Sequence, residues 1–246
     1  EVGVGEVIEV RFWQWFSYAN LSGDQGRVEI QVLGTEGWSA WESLGKSANE
    51  ISPGWSRAAK DLTAYAGQTV RISFSHDDVY EDPDPAYGTY HSESTGWYID
   101  DVEVWKGVPQ FVSPEGFELG WGDWHADNGL WEVGVPTKGP GAAHDGTFVA
   151  GTNLSGNYPF NTDSRLVSPR ITLPTVVVGE AIELWFWQWF SYASLSPDQG
   201  RVFVQTLGPD GWTDHDLGIS ADEVSAGWAP MMKDLTPYAG QTVRVS

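Results

Sequence analysis

The stretch RFWQWFSYANLS, residues 11–22, recurs as WFWQWFSYASLS, residues 185–196. Read with its approach as VIEVRFWQWFSY, it sets Ile8, Val10, Phe12, Gln14, Phe16 and Tyr18 on one side of an alternation and Glu9, Arg11, Trp13, Trp15 and Ser17 on the other. A period of two marks a β-strand, whose successive side chains point to opposite faces. One face is mainly apolar. The other begins charged and turns rich in tryptophan, and the second copy carries Trp185, Trp187 and Trp189 along it.

The recurrence extends well beyond this strand. GRVEIQ at 26–31 matches GRVFVQ at 200–205, Trp38 matches Trp212, and KDLTAYAGQTVRIS at 60–73 matches KDLTPYAGQTVRVS at 233–246. The offset is 174 residues, falling to 173 after a one-residue gap near Glu50. Self-similarity at a fixed period signals tandem structural units. Residues 1–108 read as the later part of one repeat and 109–246 as the earlier part of the next. In linear order the first copy lacks a counterpart of 109–174 and the second a counterpart of 74–106. A sheet with strands missing exposes edges and core, so the sequence is expected to be a window on a longer protein with tandem copies. The other reading is a permuted arrangement, in which 107–174 completes the fold of 1–106.

RVEIQVLG, RVFVQTLG, TVRISFSHD, GWYIDDVEVW and RLVSPRITLP read as further strands, with DQG, GTEG and GPDG as turns. No segment sustains a helical period. Many short strands separated by Gly and Pro turns predict an all-β fold, a jelly-roll β-sandwich with antiparallel sheets. Composition agrees, with 15 Trp and 29 Gly in 246 residues.

The order FWQWF, DQGRV, a Gly-Trp turn, DLTAYAGQTVRISF and then GWYIDDVEV resembles the MAM and concanavalin-like jelly-roll modules of secreted bacterial proteins, such as those in the tails of immune-inhibitor-A-like metalloproteases. GFELGWGDWHADNGLWEVGVPTKGP followed by DSRLVSPRITL is similar to the opening of such modules. The resemblance covers essentially the whole chain. It implies two packed antiparallel sheets, a structural cation, an extracellular or cell-surface setting, and roles in adhesion or assembly rather than catalysis. The vertebrate members carry cysteines, and this chain has none.

The acidic segment SHDDVYEDPDPAYGTYHSESTGWYIDD, residues 75–101 and including Asp78, offers carboxylates of the kind that surround Ca²⁺. Its spacing is not that of an EF-hand loop, and a solvated acidic loop is the plainer reading. The family resemblance adds specific positions: Asp100 or Asp101 in YIDD as a cation ligand, with Glu118 in GFELG and Asp163 in TDSRL as partners. Asp24 and Asp198, in the DQG turns, read as turn stabilisers.

Catalysis finds little support. The five histidines, His76, His91, His125, His144 and His215, form no HExxH, and there is no GxSxG. With 34 acidic residues, a glycosidase-like carboxylate pair can be drawn anywhere and means nothing. A net charge of −21 opposes nucleic acid and anionic membrane surfaces, and no apolar run is long enough for a membrane span.

Trp13, Trp15, Trp185, Trp187 and Trp189 stand as the candidate ligand or interface residues. Such rings stack on sugars or anchor protein interfaces. The plainer reading is a strand buried on both faces. Two functional classes follow: a structural or adhesive module of a tandem-repeat surface protein, stiffened by Ca²⁺ and contacting neighbouring copies of itself, or a polysaccharide-binding module attached to a secreted hydrolase.

Overall fold

A computed structural model describes residues 1–18, 23–77, 94–160, 162–192, 197–209 and 211–246. Its contacts divide the chain into two units. The first comprises residues 1–109, 125–132 and 157–166; the second comprises 110–124, 133–156 and 167–246. The expected all-β class with antiparallel sheets is what the structure has, and its only helical elements are two short 3₁₀ turns, at Thr63–Tyr65 and Thr236–Tyr238, among the described residues.

The first unit contains β1 (Val7–Ser17), β2 (Gln25–Gly34), β3 (Gly37–Trp38), β4 (Glu42–Ala48), β5 (Ser56–Asp61), β6 (Val70–Asp77), β7 (Gly96–Gly107) and β8 (His125–Ala126). One sheet runs β5-β1-β7 and the other is built on β2, flanked by β3 and β4 on one side and by β6 on the other. The ladders of β1 and β2 are all antiparallel. The two sheets face each other through one core. Val10 and Phe12 of β1 and Ala58 of β5 meet Val28 and Ile30 of β2, with Ile72 and Phe74 of β6 and Trp97 and Ile99 of β7 packed around them. That is a β-sandwich, and its inner face is the apolar side of the alternation in VIEVRFWQWFSY.

Residues 125–132 and 157–166 are strapped together in this unit by polar bonds. Asp127 exchanges two with Arg165: its Oδ1 accepts from the Arg165 N–H at 2.7 Å, and its own N–H donates to the Arg165 carbonyl at 3.1 Å. Asn128 Nδ2 donates to the Asp163 carbonyl at 2.8 Å. Gly129, at φ +58°, lies where any Cβ would run into the Phe16 ring. Two stretches of the segment 110–174 therefore contribute to the first unit, and its remainder to the second.

Along the rest of the chain lie β9 (Glu132–Gly134), β10 (Val149–Gly151), β11 (Leu166–Val167), β12 (Ile171–Thr172), β13 (Glu183–Gln188), β14 (Gln199–Gly208), β15 (Gly211–Asp222), β16 (Ala229–Asp234) and β17 (Thr242–Val245). RLVSPRITLP, expected as one strand, is split into β11 and β12. Pro169 supplies no N–H to a ladder, and Ser168 between them bonds to Val245 through both backbone and side chain, its Oγ accepting from the Val245 N–H at 2.9 Å. In the second unit one sheet runs β12-β17-β14-β15 and another pairs β13 with β16. Leu173, Val204, Leu235, Val243 and Val245 form its core, with Ile182 and Leu184 against them.

The repeated sequence builds repeated detail. In the first unit Asp61 Oδ1 accepts from the Thr63 N–H at 2.8 Å, and Thr63 Oγ1 accepts from the Ile8 N–H at 3.1 Å. In the second, Asp234 does the same for Thr236 at 2.8 Å, and Thr236 for Ile182 at 3.0 Å. The DLT phrase thus stitches a 3₁₀ turn to the start of the aromatic strand in each unit.

Candidate functional site

The aromatic strand is β1 in the first unit and β13 in the second. On β1 the inner row is closed: Phe12, Phe16 and Tyr18 are each 1% exposed. Gln14, the polar member of that row, is bonded through both its amide nitrogen and its amide oxygen. Its Nε2 donates to the Ser47 carbonyl at 2.8 Å, and its Oε1 accepts from Ser47 Oγ at 3.0 Å and from Trp97 Nε1 at 3.2 Å. Trp97 meets Phe12 and Phe74 edge-on, with ring centroids 6.4 and 5.7 Å away. Tyr18 ends the row, stacked on His76 with its Oη 3.2 Å from Nδ1. Burial, with the charges of Asp24 and Asp77 behind it, pushes the Tyr18 hydroxyl pKa up to about 12.

The outer face of β1 is covered by its neighbour. Arg11 is buried, paired with Glu9 at 2.8 Å, and its guanidinium lies 3.6 Å from the centre of the Trp105 ring. Trp15 meets Tyr98 edge-on at 5.5 Å, and both Trp13 and Trp15 are half-buried. Trp105 and Tyr98 belong to β7.

On β13 the same face is open. Trp185 is 62% exposed and Trp187 48% exposed. Trp185 Nε1 donates to Glu183 Oε2 at 2.8 Å, which fixes the ring over its own strand. The His144 imidazole stacks on Trp187, 3.8 Å between centroids and 14° between planes, and stands edge-on to Trp228 at 6.2 Å. Trp228 Nε1 donates to the Ala142 carbonyl at 3.1 Å. Gly139, at φ +64°, lets the chain pass so close to Trp189 that a Cβ would sit 2.9 Å from the ring. Of the expected burial on both faces, only that of the inner row of β1 is complete, while the Trp face is half-buried on β1 and open at Trp185 and Trp187 on β13. The reason is the strand alongside. Among the described residues nothing on β13 takes the place that β7 takes on β1.

A second aromatic feature escaped the sequence reading. Arg71 Nε donates to Gln31 Oε1 at 2.6 Å, and its guanidinium lies 4.5 Å from the Trp38 ring centre and 5.3 Å from that of Trp41, both exposed indoles. In the second unit Arg244 bonds Gln205 and lies 4.4 Å from Trp212. The signal was present in the matched Gly-Trp turns and in the VRIS and VRVS phrases, but its meaning depends on a cross-strand pairing.

The candidate carboxylates are dispersed. Asp100 and Asp101 lie on the exposed surface of β7 at a register shift, where Asp101 adopts φ +48° and its N–H donates to Asp100 Oδ1 at 2.8 Å. Glu118 belongs to the second unit. Its Oε1 accepts from the N–H groups of Thr147 and Phe148, both at 2.8 Å, and these bonds hold the carboxyl below its usual pKa. Asp163 belongs to the first unit, and Asp78 lies outside the described residues. Among the described residues no three His, Asp or Glu side chains stand close enough together to hold a metal ion. Three of the described histidines serve packing roles: His76 with Tyr18, His144 with Trp187, and His215, whose Nε2 is 2.9 Å from Thr206 Oγ1, beside Tyr238. His91 is outside the described residues.

No family model matches the chain. Over 131 residues, 52% of its length, the chain is 36% identical to Bacillopeptidase F of Bacillus subtilis (strain 168), and it spans 9% of that protein. Among solved structures, the N-terminal tandem CBM22 domain of a Paenibacillus barcinonensis protein superposes over 99% of this chain and 71% of that one, with a TM-score of 0.33 and 11% identity. A superposition that loose assigns neither fold nor ligand.

Proposed function

We propose that this chain is a non-catalytic accessory region of a larger extracellular hydrolase and that it binds polysaccharide through the tryptophan face of β13. The observation that carries the reading is the exposure of Trp185 and Trp187, alternate residues on one face of one strand. Alternate residues on a strand are spaced about 7 Å apart, so the two indoles form a short row of flat apolar surface. Sugar rings can stack on such a row through their C–H faces, and the stack of His144 on Trp187 holds one indole in place before any ligand arrives. The net charge of −21 disfavours anionic glycans, which leaves neutral polysaccharides as the preferred class. The likeness of half the chain to a small part of a protein named as a peptidase supports an accessory place beside a hydrolase.

The test is co-sedimentation with insoluble neutral polysaccharides, cellulose and chitin first, using the intact chain. Trp185→Ala and Trp187→Ala should each weaken retention about tenfold or more, as loss of an aromatic anchor does, while the melting temperature stays close to wild type. No retention on any neutral polysaccharide, or retention indifferent to both substitutions, removes the proposal.

A structural or adhesive module is the second reading, favoured by the repeat that builds the same DLT stitch in both units. In that reading the tryptophan face is a contact between modules. Elongated assemblies under electron microscopy, disrupted by the same two substitutions, would favour it over sugar binding.

A further inference from the structure

We propose that residues 139–146, GPGAAHDG, form a hinged strap across the outer face of β13, and that this strap lifts to let a ligand stack on Trp187 and Trp189. The role assigned to it rests on that face being the polysaccharide site.

The strap has fixed feet. At one end the Leu154 carbonyl accepts from the N–H groups of Thr137 and Lys138, at 2.7 and 3.1 Å, and from Thr137 Oγ1 at 3.1 Å. At the other end Glu118 Oε1 accepts from the Thr147 and Phe148 N–H groups, both at 2.8 Å. Between the feet the span belongs to no strand, and Pro140 has no N–H to give to one. Gly141 closes a turn on the Lys138 carbonyl at 3.3 Å. Beyond that turn, the span's one hydrogen bond to the unit among the described residues runs from Trp228 Nε1 to the Ala142 carbonyl, at 3.1 Å.

Aromatic contact is what holds the span down. The His144 imidazole lies flat on the Trp187 indole and edge-on to Trp228. The backbone of Gly139 passes so close to Trp189 that a Cβ would sit 2.9 Å from the ring. Ordering these residues, three of them glycine, costs backbone entropy in each. One stack, one edge contact and one hydrogen bond oppose that cost. A segment held by so few contacts opens locally while the rest of its unit stays folded. Gly139 and Gly146 stand beside the feet at φ +64° and +69°, and such positions absorb the rotation that lifting needs.

Lifting changes what the face offers. With the strap down, the imidazole takes one face of the Trp187 ring and the Ala142 carbonyl takes the Trp228 N–H. With the strap up, both are free to meet a sugar. The closed strap therefore competes with the ligand, and apparent affinity falls in proportion to the fraction of molecules that are open.

Two variants of the intact chain test this. His144→Ala removes the stack. Gly139→Ala keeps the imidazole but puts a methyl where the strap meets Trp189, so it lifts the strap as a whole. Oxidation of indoles by N-bromosuccinimide, located by fragment mass spectrometry, reads the cover without any ligand. Relative to Trp185 on the same strand, Trp187 and Trp189 should oxidise about threefold faster or more in both variants. Retention on cellulose or chitin should also rise about threefold or more, with melting temperatures close to wild type. Unchanged Trp187 oxidation in Gly139→Ala overturns the proposal, because the imidazole would then be a local cover and not part of a moving strap. Faster oxidation with weaker retention also overturns it, since the strap would then belong to the binding surface. Faster oxidation in both variants with no retention by any form supports the strap and removes the polysaccharide reading instead.

Discussion

The Trp97 indole lies on the α-carbon of Gly26, a strand residue whose missing side chain makes room for the ring. The contact joins β7 of one sheet to β2 of the other, so it is part of what closes the sandwich. Gly26→Ala pushes a methyl into aromatic atoms that are held by Phe12, Phe74 and the bond to Gln14. Overpacking of this kind costs about 1–3 kcal/mol. Urea unfolding followed by tryptophan fluorescence should show that loss. The same change at Gly200 should cost less, because its nearest atoms, Ala221 Cβ and the Tyr192 hydroxyl, stand 3.1 Å from an added Cβ rather than 2.5 Å.

Gln14 and Gln188 are matched in sequence but differ in burial, which gives a paired prediction. Truncating Gln14 to alanine strips a buried carbonyl and a part-buried indole N–H of their partner, and an unsatisfied buried group costs about 1–3 kcal/mol. Gln188→Ala frees a half-buried carbonyl that water can reach, so its penalty should be the smaller of the two. Equal losses in denaturant midpoint for the two variants would contradict this account.

The inner and outer faces of β1 were legible from the sequence because a strand's two faces follow from a period of two, a local property. The hairpins and DLT turns were legible as repeats for the same reason. Exposure of the tryptophan face was not, since it depends on Tyr98 and Trp105, which reach β1 from more than eighty residues away. β4, ESLGKSA, and β5, SRAAKD, carry small and polar residues with little alternation, and only pairing with β2 and β1 makes them strands. The stack of His144 on Trp187 needs a loop to cross the strand, which no spacing rule encodes. The carboxylates that the resemblance groups share one module only where a copy is complete, and here Glu118 folds with one unit and Asp100, Asp101 and Asp163 with the other.

Two carboxylates should carry opposite pH signatures. Burial raises the Asp127 pKa, despite the Arg165 N–H and the charges of Arg165 and Lys60 that oppose it. A raised folded-state value means that the group favours folding most below its unfolded pKa of about 3.9 and loses that contribution as pH rises through the folded value. Asp127→Asn keeps an acceptor for Arg165 and abolishes the titration, so its stability relative to wild type should rise between pH 4 and pH 7. Glu118, lowered by its two backbone N–H donors, works the other way. Its contribution is present above about pH 4.3, the unfolded value, and fades as pH falls through the folded one. Glu118→Gln should therefore approach wild-type stability in acid. Thermal melts of both variants across pH 3 to 7 check the two signs together.

At the alkaline end the controlling group is Tyr18. Its hydroxyl is buried at the end of the aromatic row, beside His76 and near two carboxylates, and its pKa stands at about 12. An unfolded tyrosine ionises near 10, so the neutral side chain favours the folded state fully below that pH. The contribution is then lost as pH rises from about 10 through about 12. Tyr18→Phe keeps the ring and its stack and removes the ionisation. The variant should be less stable than wild type at pH 7, by about 1 kcal/mol for the lost hydrogen bond. The difference should narrow or reverse by pH 11.5, where the unfolded state gains from ionising a tyrosine that the folded state still holds neutral. Tyrosine absorbance near 295 nm, recorded during the alkaline transition, checks the assignment: ionisation of the buried group should coincide with unfolding of the first unit rather than precede it.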